Sequence, residues 1–234
     1  SGALDANTTA SYNTAVGNSV LTANTTGAAN TSLGYASLYA NTTGTYNVGI
    51  GYRSIGAGNA DYNVAVGGNT LQAMTSGGAN VALGHGALYD NTSGANSVAV
   101  GFLALENNTT GTNTAVGKSA LYANTTGAGN TAIGYQALKT NTTGAYNAAL
   151  GFEALAATTT ASGNTVVGRR AGYQLTTGAY NTIVGHLGAS NNGGLITGSE
   201  NTLIGAFADP SATNGGQQIV IGYDCTGVGN NSIT

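Results

Sequence analysis

Apolar and polar positions recur along this chain on one short period. An aliphatic residue directly precedes a glycine at Val16, Leu33, Ile50, Val66, Leu83, Val100, Val116, Ile133, Leu150, Val167, Val184, Ile204 and Ile221, and the intervals are 16 or 17 residues with one of 20. Repetition at such a period is the signature of a stacked-repeat architecture, in which one repeat cannot bury its own face. This unbroken aliphatic column reads as the inward-facing structural core. A second column, four residues after the glycine, holds Leu21, Leu38, Ile55, Leu71, Leu88, Leu105, Leu121, Leu138 and Leu155 and fades after Gly168. Two apolar columns predict two short strands per coil.

Between these columns the consensus is Asn-Thr-Ala-Val-Gly-x-x-Ala-Leu-x-x-Asn-Thr-Thr-Gly-x-x. Gly, Thr and Asn are poor helix formers, so the repeat is β rather than helical. Asn-Thr-Thr-Gly supplies a turn, with Gly27, Gly44, Gly94, Gly111, Gly127, Gly144 and Gly178 expected at positive φ. The fold class that follows is all-β: a parallel β-solenoid or β-roll of about thirteen 17-residue coils. At about 4.8 Å per coil the rod would be about 60 Å long. Asn13, Asn30, Asn47, Asn63, Asn80, Asn113, Asn130, Asn147, Asn164, Asn181 and Asn201 should stack as a hydrogen-bonded amide ladder, interrupted by Ser97.

Small residues two before the glycine, such as Ala15, Ala65, Ala82, Ala99, Ala115 and Ala132, admit two explanations. They line a narrow coil interior or tight turn, or they pack against two other copies around a threefold axis. The second would make the chain a homotrimer, which scarce bulk favours. Residues 1–185 read as the regular solenoid and 186–234 as irregular coils continuing the same rod, because the Leu column fails at Gly172, Ala189 and Asp209. The 20-residue interval coincides with Asn191-Asn192-Gly193-Gly194, a turn-rich insertion placed on a loop.

Composition narrows the function. With 39 Gly, three Phe and no Trp among 234 residues, a wide globular core cannot be filled. Charged residues make up 6% and the net charge is −3, so there is no basic stripe to neutralise nucleic-acid phosphates. No apolar run has the length of a membrane span, and membrane insertion is not expected. The start at Ser1-Gly2 and the stop at Ile233-Thr234 suggest a piece of a longer protein. Cys225 is alone, and no Cys/His cluster has metal-ligand spacing.

The segments Asn113 to Gly127 and Asn130 to Gly144 carry the consensus nearly intact and resemble repeats of bacteriophage tail fibres and related tail fibre domain proteins. That resemblance covers nearly the whole chain. In that family such repeats often precede a C-terminal endosialidase-type intramolecular chaperone, whose approach Gly229 to Thr234 resembles. It implies a virion location, a structural shaft or receptor-proximal segment in host attachment, and partners among other fibre or baseplate proteins. Ser97-Val98-Ala99-Val100-Gly101 is similar to the core of trimeric autotransporter adhesin heads, which implies a bacterial cell-surface adhesin as the alternative. Both resemblances imply a homotrimer.

No catalytic constellation recurs, and an enzyme is not expected. Asp61, Asp90, Glu106, Glu153 and Glu200 are scattered, so a glycosidase pair would have to straddle chains. His85 and His186 follow their glycines but lie six coils apart, too far to share a metal within one chain. No cofactor is implied. Asn24-Thr25-Thr26, Asn41-Thr42-Thr43 and Asn124-Thr125-Thr126 fit the N-glycosylation pattern, yet they are the turn consensus. Paired Thr in a turn gives no regular two-column Thr face of the kind an ice-binding surface needs. Tyrosines carry most functional weight: Tyr39, Tyr89 and Tyr122 follow the Leu column, and Tyr35, Tyr52 and Tyr135 follow the glycine. These six are the candidate receptor-binding residues, outward by strand alternation and able to stack on host glycan rings, or else on each other.

Overall fold

The computed structural model describes residues 2–56, 58–190 and 194–234, so the Asn191 to Gly193 part of the insertion lies outside the described residues. The fold is an all-β solenoid of parallel strands at roughly 17-residue spacing, without a helix among the described residues. It divides into two compact units, Ser1–Asn113 and Thr114–Thr234. The first holds β1 (Thr14–Val16), β2 (Thr31–Leu33), β3 (Val48–Ile50), β4 (Val64–Val66), β5 (Val81–Leu83) and β6 (Val98–Val100). The second holds β7 (Thr114–Val116), β8 (Thr131–Ile133), β9 (Ala148–Leu150), β10 (Thr165–Val167), β11 (Thr182–Val184), β12 (Thr202–Ile204) and β13 (Ile219–Ile221). Within each unit every strand pairs in parallel with the next along the chain, repeat column on repeat column, as in Ala82 opposite Ala99 and Ala132 opposite Ala149.

Each repeat contributes one named strand, not two. The Leu column sits in a corner, where Leu21, Leu38, Ile55, Leu71, Leu88, Leu105, Leu121, Leu138 and Leu155 all adopt φ between 48° and 54°. A left-handed L-residue costs roughly 1–2 kcal/mol. Full burial of a Leu side chain offsets this by about 1.5–3 kcal/mol, and all nine are essentially inaccessible to solvent. The corner also keeps its hydrogen bonds, since the Leu121 N–H donates to the Ala137 carbonyl of the next coil at 3.0 Å.

The aliphatic column before the glycine does not face inward. Val16, Leu33, Val66, Ile133, Leu150, Val167, Val184, Ile204 and Ile221 are exposed, and Ile50, Leu83, Val100 and Val116 are half-buried. The inward residue is the middle one of each three-residue strand: Ser32, Ala65, Ala82, Ala99, Ala115, Ala132, Ala149, Val166, Ile183, Leu203 and Val220 are all buried. Strand alternation fixes the face but not which set takes it. Here space decides. In coils closed by a Leu corner, that corner and a second small column (Ala87, Ala104, Ala120, Ala137, Ala154) leave little more than a methyl's room, whereas the bulkier Val166, Ile183 and Leu203 stand in coils where the corner has lapsed to Gly172, Ala189 and Asp209. The narrow-interior explanation of the alanines therefore holds.

The amide ladder forms as expected from the repeat. Asn47 Nδ2 donates to Asn30 Oδ1 at 3.2 Å, Asn63 to Asn47 at 3.1 Å, Asn147 to Asn130 at 3.1 Å and Asn181 to Asn164 at 3.0 Å. Ser97 stands in for the amide: its N–H donates to Asn80 Oδ1, its hydroxyl donates to the Gly111 carbonyl, and its Oγ accepts from the Asn113 N–H at 3.3 Å. A second ladder, unread in the sequence, runs through the turn asparagines, with Asn41 Nδ2 donating to Asn24 Oδ1 at 2.9 Å and Asn141 to Asn124 at 2.8 Å.

The turn glycines are required for closeness and not for φ. Gly27, Gly44, Gly94, Gly127, Gly144 and Gly178 lie outside the left-handed region, but a Cβ on Gly27 would stand 2.3 Å from the Gly44 carbonyl oxygen. Positive φ belongs instead to the glycine that closes each strand, for example Gly134 at 138°. Beyond residue 185 the register persists, with Thr182 opposite Thr202 and Thr202 opposite Ile219. Gly172, Ala189 and Asp209, where the Leu column lapses, remain buried in its place.

Candidate functional site

Surface chemistry in a solenoid is set by which columns point outward and what stands at neighbouring levels. After each strand the chain turns at the positive-φ glycine, and the next residue is projected outward to form an aromatic ridge. Tyr35 and Tyr52 stack there with ring centroids 5.4 Å apart and planes 10° from parallel. At the equivalent repeat position His85 pairs with Phe102 at 5.7 Å in the first unit, and Tyr135 with Phe152 at 5.0 Å in the second. Faces of these rings are thus turned to each other, and rings so paired offer their edges to a ligand.

Of the six candidate tyrosines, Tyr35, Tyr39 and Tyr52 are brought together in the first unit. Tyr35 and Tyr39 line a shallow depression of 320 Å³ with Ser19, Thr22, Ala36 and Arg53. The Arg53 guanidinium lies 5.6 Å from the centroid of the Tyr52 ring. Tyr89, Tyr122 and Tyr135 do not line it. Tyr89 is exposed and Tyr122 half-buried, while Tyr135 stacks on Phe152 and carries Lys118 Nζ 5.9 Å from its ring centroid.

Sequence reasoning passed over Arg53, whose column holds no other arginine in the first unit. It also passed over a second outward tyrosine column, Tyr12, Tyr46, Tyr62, Tyr146 and Tyr180, which is exposed from 57% to 90%. These residues adopt positive φ themselves, between 56° and 64°. Tyr46 and Tyr62 stack at 5.2 Å, and the Tyr146 and Tyr180 rings lie over Gly129 and Gly163 of the preceding coil. A signal was available: each stands directly before the ladder asparagine.

Several acidic side chains link one coil to the next. Asp61 Oδ1 accepts from the Thr45 N–H at 2.7 Å and its hydroxyl at 3.0 Å, Glu153 holds Arg170 at 2.6 Å, and Glu200 accepts from Gln217 at 2.9 Å. His85 rests on Phe102, and His186 meets Arg169 at 3.1 Å and Phe207 edge-on. The Asn24, Asn41 and Asn124 amides are buried in the second ladder, so the folded chain withholds these glycosylation-pattern nitrogens from solvent.

The strand face itself is a regular apolar feature of each unit. Each strand sends two residues outward, first a Thr or an apolar residue and then the aliphatic, as in Thr114 and Val116 or Val48 and Ile50. Level by level this makes two columns in each unit. Comparison with protein-family models, curated proteins and solved structures yields no match.

Proposed function

We propose that this chain is a structural shaft or receptor-proximal segment of a phage tail fibre, assembled as a homotrimer that serves host attachment from the virion. One observation carries the reading: within each unit the outward aliphatic column runs from strand to strand without a polar interruption, and nine of its thirteen members are exposed. Continuous apolar surface of this kind marks an interaction site. Copies of the same chain, aligned in parallel, would meet it with the same column at the same level, which suits a closed symmetric assembly. Three-residue strands present a narrow face, and three narrow faces close around an axis. Other fibre or baseplate proteins would hold the ends, and a host surface glycan is the partner proposed for the outer ridges.

A bacterial trimeric surface adhesin is the second reading, supported by the Ser97 to Gly101 segment at β6. Sedimentation equilibrium of the protein with its native flanking regions tests the assembly, with three copies expected and a monomer overturning it. The flanks separate the readings, since a cleavable chaperone downstream supports the fibre and a membrane-anchoring β-barrel supports the adhesin.

A further inference from the structure

We infer that the depression at Arg53 is a binding site for a carboxylate-bearing sugar, such as a uronic acid residue within a host glycan. This names the ligand class for the attachment role proposed above and rests on that reading. Three features make the depression a built site. Its floor is Ala36, 8% exposed, at a column position where other coils carry Leu103, Gln136 or Glu153. Its walls are Tyr35, Tyr39 and Arg53, held at different levels by the coil-to-coil hydrogen bonds Ala36 N to Asn18 O and Arg53 N to Tyr35 O, at 2.9 Å and 2.8 Å. Its 320 Å³ sits at the small end of ligand sites, about 300–1,000 Å³, which suits one or two sugar rings.

The hydrogen-bonding inventory selects the ligand. The Ser19 hydroxyl donates to Asn18 Oδ1 and the Thr22 hydroxyl to the Tyr39 carbonyl, so both turn oxygen lone pairs toward incoming donors. Sugar hydroxyls supply donors. Arg53 supplies the opposite need: it is the first unit's single Lys or Arg, against four acids, and no carboxylate lies within ion-pair distance of it among the described residues. Arg170, by contrast, is taken up by Glu153. A guanidinium steadied on the Tyr52 ring keeps its planar fork for a carboxylate. Stacking of Tyr35 on Tyr52 fixes the wall without consuming the Tyr39 ring, which stays exposed for contact with the sugar's C–H face.

The test is titration of the whole protein with tetramers of glucuronic acid and of glucose in the same linkage, followed by calorimetry. The acidic oligomer should bind at least about tenfold more tightly than the neutral one, a difference of about 1.4 kcal/mol. Arg53→Gln should erase that preference, and Ala36→Leu, which fills the floor with the residue type that Leu103 places in the same column, should abolish binding of both. Arg169→Gln should change nothing. Equal affinity for the two oligomers, no binding of either, or indifference to Ala36→Leu overturns the inference. Sedimentation of the same samples keeps the two ideas apart: a trimer that fails to bind removes the sugar site alone, and a monomer that binds removes the assembly alone.

Discussion

Asn141 donates from Nδ2 to Oδ1 of Asn124 at 2.8 Å, yet its own buried Oδ1 receives no hydrogen bond. The reason is one coil away, where Thr158 occupies the column and spends its hydroxyl on the Leu175 carbonyl. Asn41 repeats the situation, because Gly58 stands above it. A buried acceptor without a donor costs about 1–3 kcal/mol.

Replacing Thr158 by Asn should therefore extend the second ladder. The new amide would reach Asn141 Oδ1 and, by analogy with Asn124 and Gly127, the Ala161 carbonyl. We expect a gain of about 1 kcal/mol, read as a higher urea midpoint at unchanged slope. A lower midpoint would show that the Leu175 bond matters more.

The two faces of a strand should answer differently to a charge. Ala132→Asp places a carboxylate in the dry interior between Ala115 and Ala149 and should prevent folding of the coils around it. Ile133→Asp puts the same group on the outward face, so the β spectrum should survive while the sedimenting species becomes smaller. Loss of the β signal in both variants would argue against the facing found here.

Interior volume gives a further prediction. Leu121→Ala should cost about 2–5 kcal/mol, and Ala120→Leu beside it, in the second small column, about 1–3 kcal/mol through overpacking. Thermal unfolding of both variants checks the pair, and tolerance of Ala120→Leu would mean the interior has more room than its burial indicates.

Backbone strain predicts a change of sign between two alanines of one coil. Ala79 is exposed at φ 58°, whereas Ala82 is fully buried at the middle of β5. Ala79→Gly relieves a left-handed conformation worth roughly 1–2 kcal/mol, partly offset by about 0.5–1 kcal/mol of glycine's extra entropy. It should raise the melting temperature slightly. Ala82→Gly should lower it, and parallel changes would refute the strain argument.

The period, the parallel pairing and the first amide ladder were legible in the sequence because each depends only on recurrence. A column of Asn can stack on itself whatever face it occupies. The facing of the strand was not legible. Val116 and Ile133 carry the bulk that normally marks a core, and Ala115 and Ala132 the smallness that suits a close external contact, but a coil closed by Leu121 and Leu138 has no space for a second large side chain. The left-handed corners were equally hidden, since Leu at φ 51° contradicts every local preference and persists only because the neighbouring coils hold it. Arg53 escaped notice because a site made by three adjacent coils leaves no local motif.

The amide ladder also gives each unit an electrical direction. Asn47, Asn63 and Asn80 each donate to the asparagine one coil earlier, and Asn147, Asn164, Asn181 and Asn201 do the same in the second unit. Dipoles aligned head to tail in this way polarise one another and sum along the stack, as peptide dipoles do along a helix. At each of these levels the amide therefore offers oxygen to the coil that follows and hydrogen to the coil that precedes. A coil laid down in reverse would meet oxygen with oxygen, so growth of the stack has a built-in sense, and aligned copies packed side by side would all carry their positive poles at the same end.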